Sequence, residues 1–123
     1  MIIGIGTDIC SIERIKEIEK KYKEMFLEKF LSPEEISLSK NRNYYAFLGG
    51  RFAAKEALQK AVSKKIIEFS KISILNDDNG KPFLKEPEVF LKNCGFNKKA
   101  QVHISISHEM KYACAFVIIE NIS

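Results

Sequence analysis

Arg51-Phe52-Ala53-Ala54-Lys55-Glu56-Ala57-Leu58-Gln59-Lys60-Ala61 forms the segment around which the rest of the chain has to pack. Ala, Leu, Lys, Glu and Gln are strong helix formers, and no Gly or Pro interrupts the run, so it reads as helix. Ala54, Ala57, Leu58, Ala61 and Val62 recur on one side at helical spacing, and small side chains there let another backbone come close. Glu56 and Lys60 lie four apart on roughly the opposite side. Arg51 and Lys55 make a second pair four apart. Taken alone, Glu followed by Lys in this order describes a solvated helix face stabilised by only ~0.2–0.5 kcal/mol.

The bulk properties narrow the function classes. A chain of 123 residues predicts one domain spanning 1–123. No apolar run approaches the roughly 20 residues that a membrane span needs, and Ile2 to Ile5 lacks the flanks of a signal peptide. Cys10, Cys94 and Cys114 are scattered and odd in number, so they read as small apolar core residues in a reducing cytoplasm. Net charge is +4. Arg51, Lys55, Lys60, Lys64, Lys65 and Lys71 against Glu56 and Glu68 match that excess within residues 51–71. Local positive charge favours an anionic partner, whether a nucleotide, a nucleic acid or an acidic protein.

Along the chain, Met1 to Cys10 alternates as a strand, with Ile3, Ile5, Thr7 and Ile9 opposite Gly4, Gly6 and Asp8. Glycines in a strand mark close approach of a ligand or a backbone, which suggests empty space beside Asp8. Asp8 serves equally well as a helix cap. A helical stripe runs from Ser11 to about Lys29 through Ile12, Ile15, Ile18, Tyr22, Met25 and Phe26. Arg14, Glu17, Lys21 and Glu24 line its outer face, which is either simply solvated or a dock for an acidic partner. Ser32-Pro33-Glu34-Glu35 starts a short helix, and Asn41-Arg42-Asn43 ends it. A long helix follows from about Tyr44 to Lys65, in which Gly49 and Gly50 either relieve crowding or mark a break. Ile72 to Leu75 reads as a strand. Asp77-Asp78-Asn79-Gly80-Lys81-Pro82 is a hairpin turn, and Phe83-Leu84 begins the return. Glu86 to Cys94 is a short helix stopped by Gly95. Gln101 to Ser107 alternates, with His103 on the polar side; His108 to Lys111 turns. Tyr112 to Ile119 reads as a central strand. The mixture predicts an α+β fold with helices over one face of a mainly antiparallel sheet.

Three pieces stand together: Gly4-Ile5-Gly6-Thr7-Asp8-Ile9, Arg51 to Ala61, and Ser105-Ile106-Ser107-His108 followed by Tyr112-Ala113-Cys114-Ala115. In this order they resemble the holo-acyl-carrier-protein synthases, the small bacterial phosphopantetheinyl transferases, over most of the chain. The resemblance implies a ferredoxin-like related fold. It also implies transfer of the 4′-phosphopantetheine arm of coenzyme A to a serine of an apo acyl carrier protein, with release of adenosine 3′,5′-bisphosphate, in support of fatty acid biosynthesis. It implies magnesium, or manganese in its place, and a homotrimer with active sites between subunits. Asp8 and Glu56 match the metal-binding carboxylates. Two carboxylates suit Mg²⁺, which completes its octahedron with water and substrate phosphate. Lys60 matches the lysine near the transferred phosphate, so Asp8, Glu56 and Lys60 form the expected catalytic set. Arg51, Lys60, Ser107 and His108 match coenzyme A contacts, and Gly80-Lys81-Pro82 is placed beside the adenine nucleotide. Arg14, with Lys21, sits where the family meets its acidic carrier. Cys10 and Ser11 depart from the usual aliphatic and acidic residues at their positions. The nucleophile belongs to the carrier; the general base stays open between Glu56 and a metal-bound water.

Two other classes compete. A nucleic-acid module would use the basic 51–71 segment with Tyr44, Tyr45, Phe47 and Phe52 as stacking surfaces. Such a surface gains nothing from Asp8 and Glu56, so neither nucleic acid nor membrane is expected as a partner. A scaffold that has lost catalysis but kept the fold is the third reading, and the retained motif side chains argue against it.

Overall fold

The computed structural model describes residues 1–40, 43–63, 65–96 and 99–123. The expected helix end at Asn41-Arg42 and the contribution of Lys64 to the basic segment lie outside the described residues. The chain runs β1 (Ile2–Ser11), α1 (Ile12–Tyr22), α2 (Glu24–Phe30), α3 (Pro33–Ser39), α4 (Tyr44–Val62), a 3-10 turn (Phe69–Lys71), β2 (Ile74–Asn76), β3 (Pro82–Leu84), α5 (Pro87–Asn93), β4 (Ala100–His108) and β5 (Tyr112–Asn121). Strands β1, β5 and β4 form one antiparallel sheet in that order, with β5 central; β2 and β3 form a separate hairpin. The α+β class and the single covered sheet face agree with the sequence reading.

Helix α4 lies across the sheet because its inner side is nearly all alanine. Ala53, Ala54, Ala57 and Leu58 are fully buried. The strand answers with glycines. A Cβ at Gly6 would overlap the Ala57 carbonyl oxygen, and one at Gly4 would overlap that of Ala61. Small residues on both partners thus bring helix and strand into backbone contact. The same logic settles Gly49-Gly50: α4 runs through them unbroken, and a Cβ at Gly50 would sit 2.9 Å from Ile106 Cγ2.

The glycine side of β1 is therefore filled by α4, which corrects the expectation of empty space beside Asp8. The isoleucine side is the bare one. Ile5 (57%), Ile9 (66%) and Phe116 (41%) stay exposed on the face that no helix covers. Cys114 is exposed there too, contrary to the reading of all three cysteines as core. Cys10 does pack inward, and its Sγ donates to Gly49 O at 3.2 Å. Burial and the Asp8 carboxylate push its thiol up to about 11.

The Ser11-to-Lys29 helix is two helices. The break falls at Lys23, whose φ is 50°, and Tyr22 and Met25 are exposed rather than part of the apolar stripe. Ser11 caps α1, accepting from Arg14 N at 3.2 Å. Ser32 and Glu35 form a reciprocal capping box at the start of α3. The Asp77–Lys81 turn is tied by Asp77 Oδ1, which accepts from Asn79 N and Lys81 N, both at 2.9 Å.

Candidate functional site

Side chains of β1 and α4 make the first cluster. The close packing at Gly6 sets Asp8, two residues on, against the outer flank of α4. Lys60 Nζ lies 3.3 Å from Asp8 Oδ1 and donates to Thr7 O at 2.9 Å. Its side chain is 56% exposed and that of Asp8 18%. Glu56, one turn before Lys60, is half-buried. Burial raises the Glu56 carboxyl above its ordinary range, the Asp8 carboxylate raises it further, and Lys60 works against both. Two carboxylates that feel each other beside one mobile ammonium form a compact site for a cation and an anion together. Glu56 also opens onto a cavity of about 600 Å³ walled by Glu28 and Lys29 on one side and residues 66–70 on the other.

The second cluster lies elsewhere on α4. Arg51, Gly80, Pro82 and His108 line one cavity of about 260 Å³ together with Asn43, Phe47, Asn76 and Ile106. Arg51 is buried (4% exposed); its Nε donates to Ile74 O at 2.8 Å, and its guanidinium lies 4.5 Å over the Phe47 ring. Neither Asp8 nor Glu56 nor Lys60 lines this cavity. Helix geometry explains the separation. Arg51 and Glu56 are five residues apart, which turns them by about 140° around the axis.

Besides Lys60, two expected members of the coenzyme side fall outside that cavity. Ser107 points to the uncovered face of β4 and is exposed, because it alternates with Ile106. Lys81 lines a neighbouring cavity of about 340 Å³ with Pro82, His103, Ser105 and Phe116. His103 is the strand-surface residue it was read to be, with Nε2 3.0 Å from Glu120 Oε1. Arg14 and Lys21 are exposed along α1. The start of that helix is fixed to the β4–β5 turn by Ile12 N donating to Lys111 O at 2.9 Å.

The basic segment does not form a continuous surface. Lys55 is fully buried. Its Nζ donates to Phe30 O, Phe69 O and Ile72 O, each at 2.7 Å, and to the Glu35 carboxylate. Burial pushes the Lys55 ammonium down and Glu35 opposes the shift. The aromatic residues near the segment are structural as well. Tyr44 and Tyr45 both donate to Glu19, at 3.2 and 2.9 Å, and Phe52 packs edge-on to Phe30. Sequence reasoning missed Glu35 as the partner of Lys55. It also missed Asn43 and Asn76 as walls of the Arg51 cavity. Nothing local distinguishes these residues from a helix-start acid and loop asparagines; only long-range packing assigns them.

Comparison with known proteins agrees with this geometry. The chain is 45% identical, over the full length of both, to a holo-[acyl-carrier-protein] synthase of Geobacillus sp.. The crystal structure of holo-[acyl-carrier-protein] synthase from Neisseria meningitidis superposes with a TM-score of 0.85 at 37% identity, covering 98% of this chain and 100% of that one. The Helicobacter pylori enzyme in complex with coenzyme A superposes at 0.81 with 36% identity, covering 94% and 99%. The family model for the 4′-phosphopantetheinyl transferase superfamily matches residues 4–117. A glycine-faced first strand, an alanine-faced helix carrying Glu56 and Lys60, and a match across nearly the whole chain make this protein a member of the 4′-phosphopantetheinyl transferase superfamily.

Proposed function

We propose that this chain, acting as one domain over residues 1–123 in the cytoplasm, moves the 4′-phosphopantetheine arm of coenzyme A onto a serine of an apo acyl carrier protein. The carrier serine hydroxyl gives its proton to a general base, and its oxygen forms a bond to the phosphorus that bears the pantetheine. The bond from that phosphorus to the bridging oxygen breaks, and adenosine 3′,5′-bisphosphate leaves. The product is a holo carrier protein of the kind that serves fatty acid biosynthesis. One observation carries the reading: Asp8, Glu56 and Lys60 place two coupled carboxylates beside an exposed ammonium.

This donor set fits Mg²⁺. No group of three or more His, Cys, Asp or Glu side chains among the described residues is arranged to hold a metal, and an ion that keeps waters and phosphate oxygens needs only one or two carboxylates. Asp8 and Glu56 would hold it. When bound, it supplies charge neutralisation at the pyrophosphate. Lys60 supplies a second positive charge at the transferred phosphate, where fixed cations lower the barrier to phosphoryl transfer. Arg51 and His108, with the Gly80–Pro82 turn, bind the nucleotide end of coenzyme A. Arg14 and Lys21 meet the acidic carrier.

The two clusters face different sides of α4, an arrangement that suits a site shared between two copies. We propose that a second copy completes each site in a homotrimer, with the uncovered sheet face around Ile5, Ile9 and Phe116 as the contact surface. The test is mixing. At coenzyme A well below its KM, Glu56→Gln and Arg51→Met are each expected to give no mass gain alone, by intact mass of an apo carrier incubated with coenzyme A and Mg²⁺. Dissociated and reassembled together, they should recover a sizeable fraction of wild-type rate. Two inactive variants that stay inactive when mixed would place the site within one chain. Loss of the mass gain in EDTA checks the metal.

A further inference from the structure

Asn76 is a residue without an assigned role, and its side chain joins two parts of the Arg51 cavity. It ends β2, is half-buried, and lines the cavity with Arg51, Gly80, Pro82 and His108. Its Oδ1 accepts from Arg51 Nη2. Its Nδ2 donates to Gly80 O at 2.8 Å. Only an amide meets both demands at this length. A carboxylate would accept from Arg51 but has no hydrogen for the Gly80 carbonyl, and a hydroxyl is too short to span the two. The flanking Asp77 does different work: its Oδ1 gathers Asn79 N and Lys81 N and shapes the turn internally. Asn76 instead fastens that turn to α4.

The rest of Arg51 is held from the same strand. Arg51 Nε donates to Ile74 O at 2.8 Å, while Ile74 N donates to Glu35 Oε2 at 2.9 Å. β2 is thus pinned from beneath by a buried carboxylate. It presents one backbone carbonyl and, two residues on, one side-chain carbonyl to the same guanidinium. A planar guanidinium gripped at Nε and at Nη2 has its plane and reach fixed. Without Asn76 it keeps the Ile74 bond, the Phe47 stack and the 3.9 Å approach of Nε to Glu35 Oε2 but loses one hold at Nη2, and the Gly80 turn loses its tether to the helix.

We infer that Asn76 is a positioning residue for coenzyme A. It sets the guanidinium of Arg51 and the Gly80–Pro82 turn in one fixed relation, and so acts on the nucleotide end of the substrate rather than on the carrier. This rests on the proposed role of Arg51 in binding coenzyme A.

The experiment is a double-mutant cycle on the whole protein with Asn76→Ala, Arg51→Met and the pair, measuring KM for coenzyme A and for the carrier separately. Thermal melts confirm that each variant is folded at the assay temperature. Asn76→Ala is expected to raise the KM for coenzyme A by about 5- to 20-fold and to leave the KM for the carrier within about two-fold. In the Arg51→Met background the same change should raise it by a smaller factor, because only the hold on Gly80 is left to lose. Three results would overturn the inference: an unchanged KM for coenzyme A in Asn76→Ala, an equal effect in both backgrounds, or equal rises for both substrates. An unchanged KM in Arg51→Met alone would instead remove the Arg51 reading on which it stands.

Discussion

Lys55 and Lys60 are the same residue on the same helix, five positions apart, and they end in opposite surroundings. Lys55 is fully buried among three backbone carbonyls and the Glu35 carboxylate. Its acceptors come from the end of α2, from α3 and from the segment around the 3-10 turn, so one ammonium ties together pieces of chain that also share an apolar cluster through Phe30, Ile36 and Phe69. Lys60 is more than half exposed and, among the described residues, is held by Thr7 O and Asp8. A cation whose hydrogen-bonding capacity is used up by the fold is structural. A cation that keeps capacity and water access is able to serve a substrate. The Asp8–Glu56 pair beside Lys60 repeats the pattern in the other sign, since like charges held together await a counter-charge.

The comparison is broken most severely at Lys55. Lys55→Met leaves the buried Glu35 carboxylate with only the longer 3.9 Å approach to Arg51 Nε as its ion pair, and takes the Lys55 donor from three carbonyls. Removing one partner of a buried pair costs about 3–5 kcal/mol, and a fall in Tm of about 10–25 °C is expected for a domain of this size. Adding Glu35→Gln to Lys55→Met should recover part of that loss, because the orphaned charge goes. A Tm within about two degrees of wild type for Lys55→Met would show that the buried network is dispensable.

Lys60→Met sharpens the contrast from the other side. An exposed ammonium with one weak ion pair contributes little to stability, so the Tm should stay within about two degrees. The transfer rate should fall by about 100-fold or more, the usual consequence of deleting one fixed charge at a developing anion. Lys60→Arg should keep part of the rate, since charge is preserved, whereas Lys55→Arg should not restore the fold: a wider planar group does not fit four convergent acceptors. A Lys60→Met protein with wild-type rate would take Lys60 out of the reaction.

Much of this contrast was legible before any coordinates, and the part that was not has a physical cause. The α4 segment with its alanine side, the glycines of β1, the Asn79-Gly80 turn and the central β5 all follow from local propensity and periodicity. Asp8, Glu56 and Lys60 were placed together by the motif and are adjacent in the fold. The burial of Lys55 was not legible, because its spacing from Arg51 is equally that of a solvated pair; what buries it is Glu35, twenty residues earlier. Which face of β1 a helix covers was not legible either. Alternation says that Ile5 and Ile9 share a face, but not which face a helix will cover, and small residues on both partners gave the cover to the glycines.

The smallest effect expected is on the carboxylate side, and its sign is informative. The Glu56 carboxyl is held above its ordinary range first by burial and then by Asp8. A carboxyl whose folded value is raised binds its proton more readily in the native state than in the unfolded chain. Its contribution to stability is therefore complete at low pH and is lost as pH rises through the carboxylate range. At neutral pH and without metal, ionised Glu56 works against the fold. Glu56→Gln keeps the shape and removes the charge, so metal-free Glu56→Gln should melt slightly above wild type at pH 7, with the gap closing as pH falls below about 4. Added Mg²⁺ with coenzyme A should reverse the order, since only wild type keeps both carboxylates, and ligand binding stabilises the form that binds. A metal-free variant that melts below wild type would mean that Glu56 is held by contacts that favour its charge, and the coupled pair would then be an ordinary structural one. A variant that gains stability while losing activity would mark Glu56 as the counterpart of Lys60: a charge that the fold tolerates at a cost and that the reaction uses.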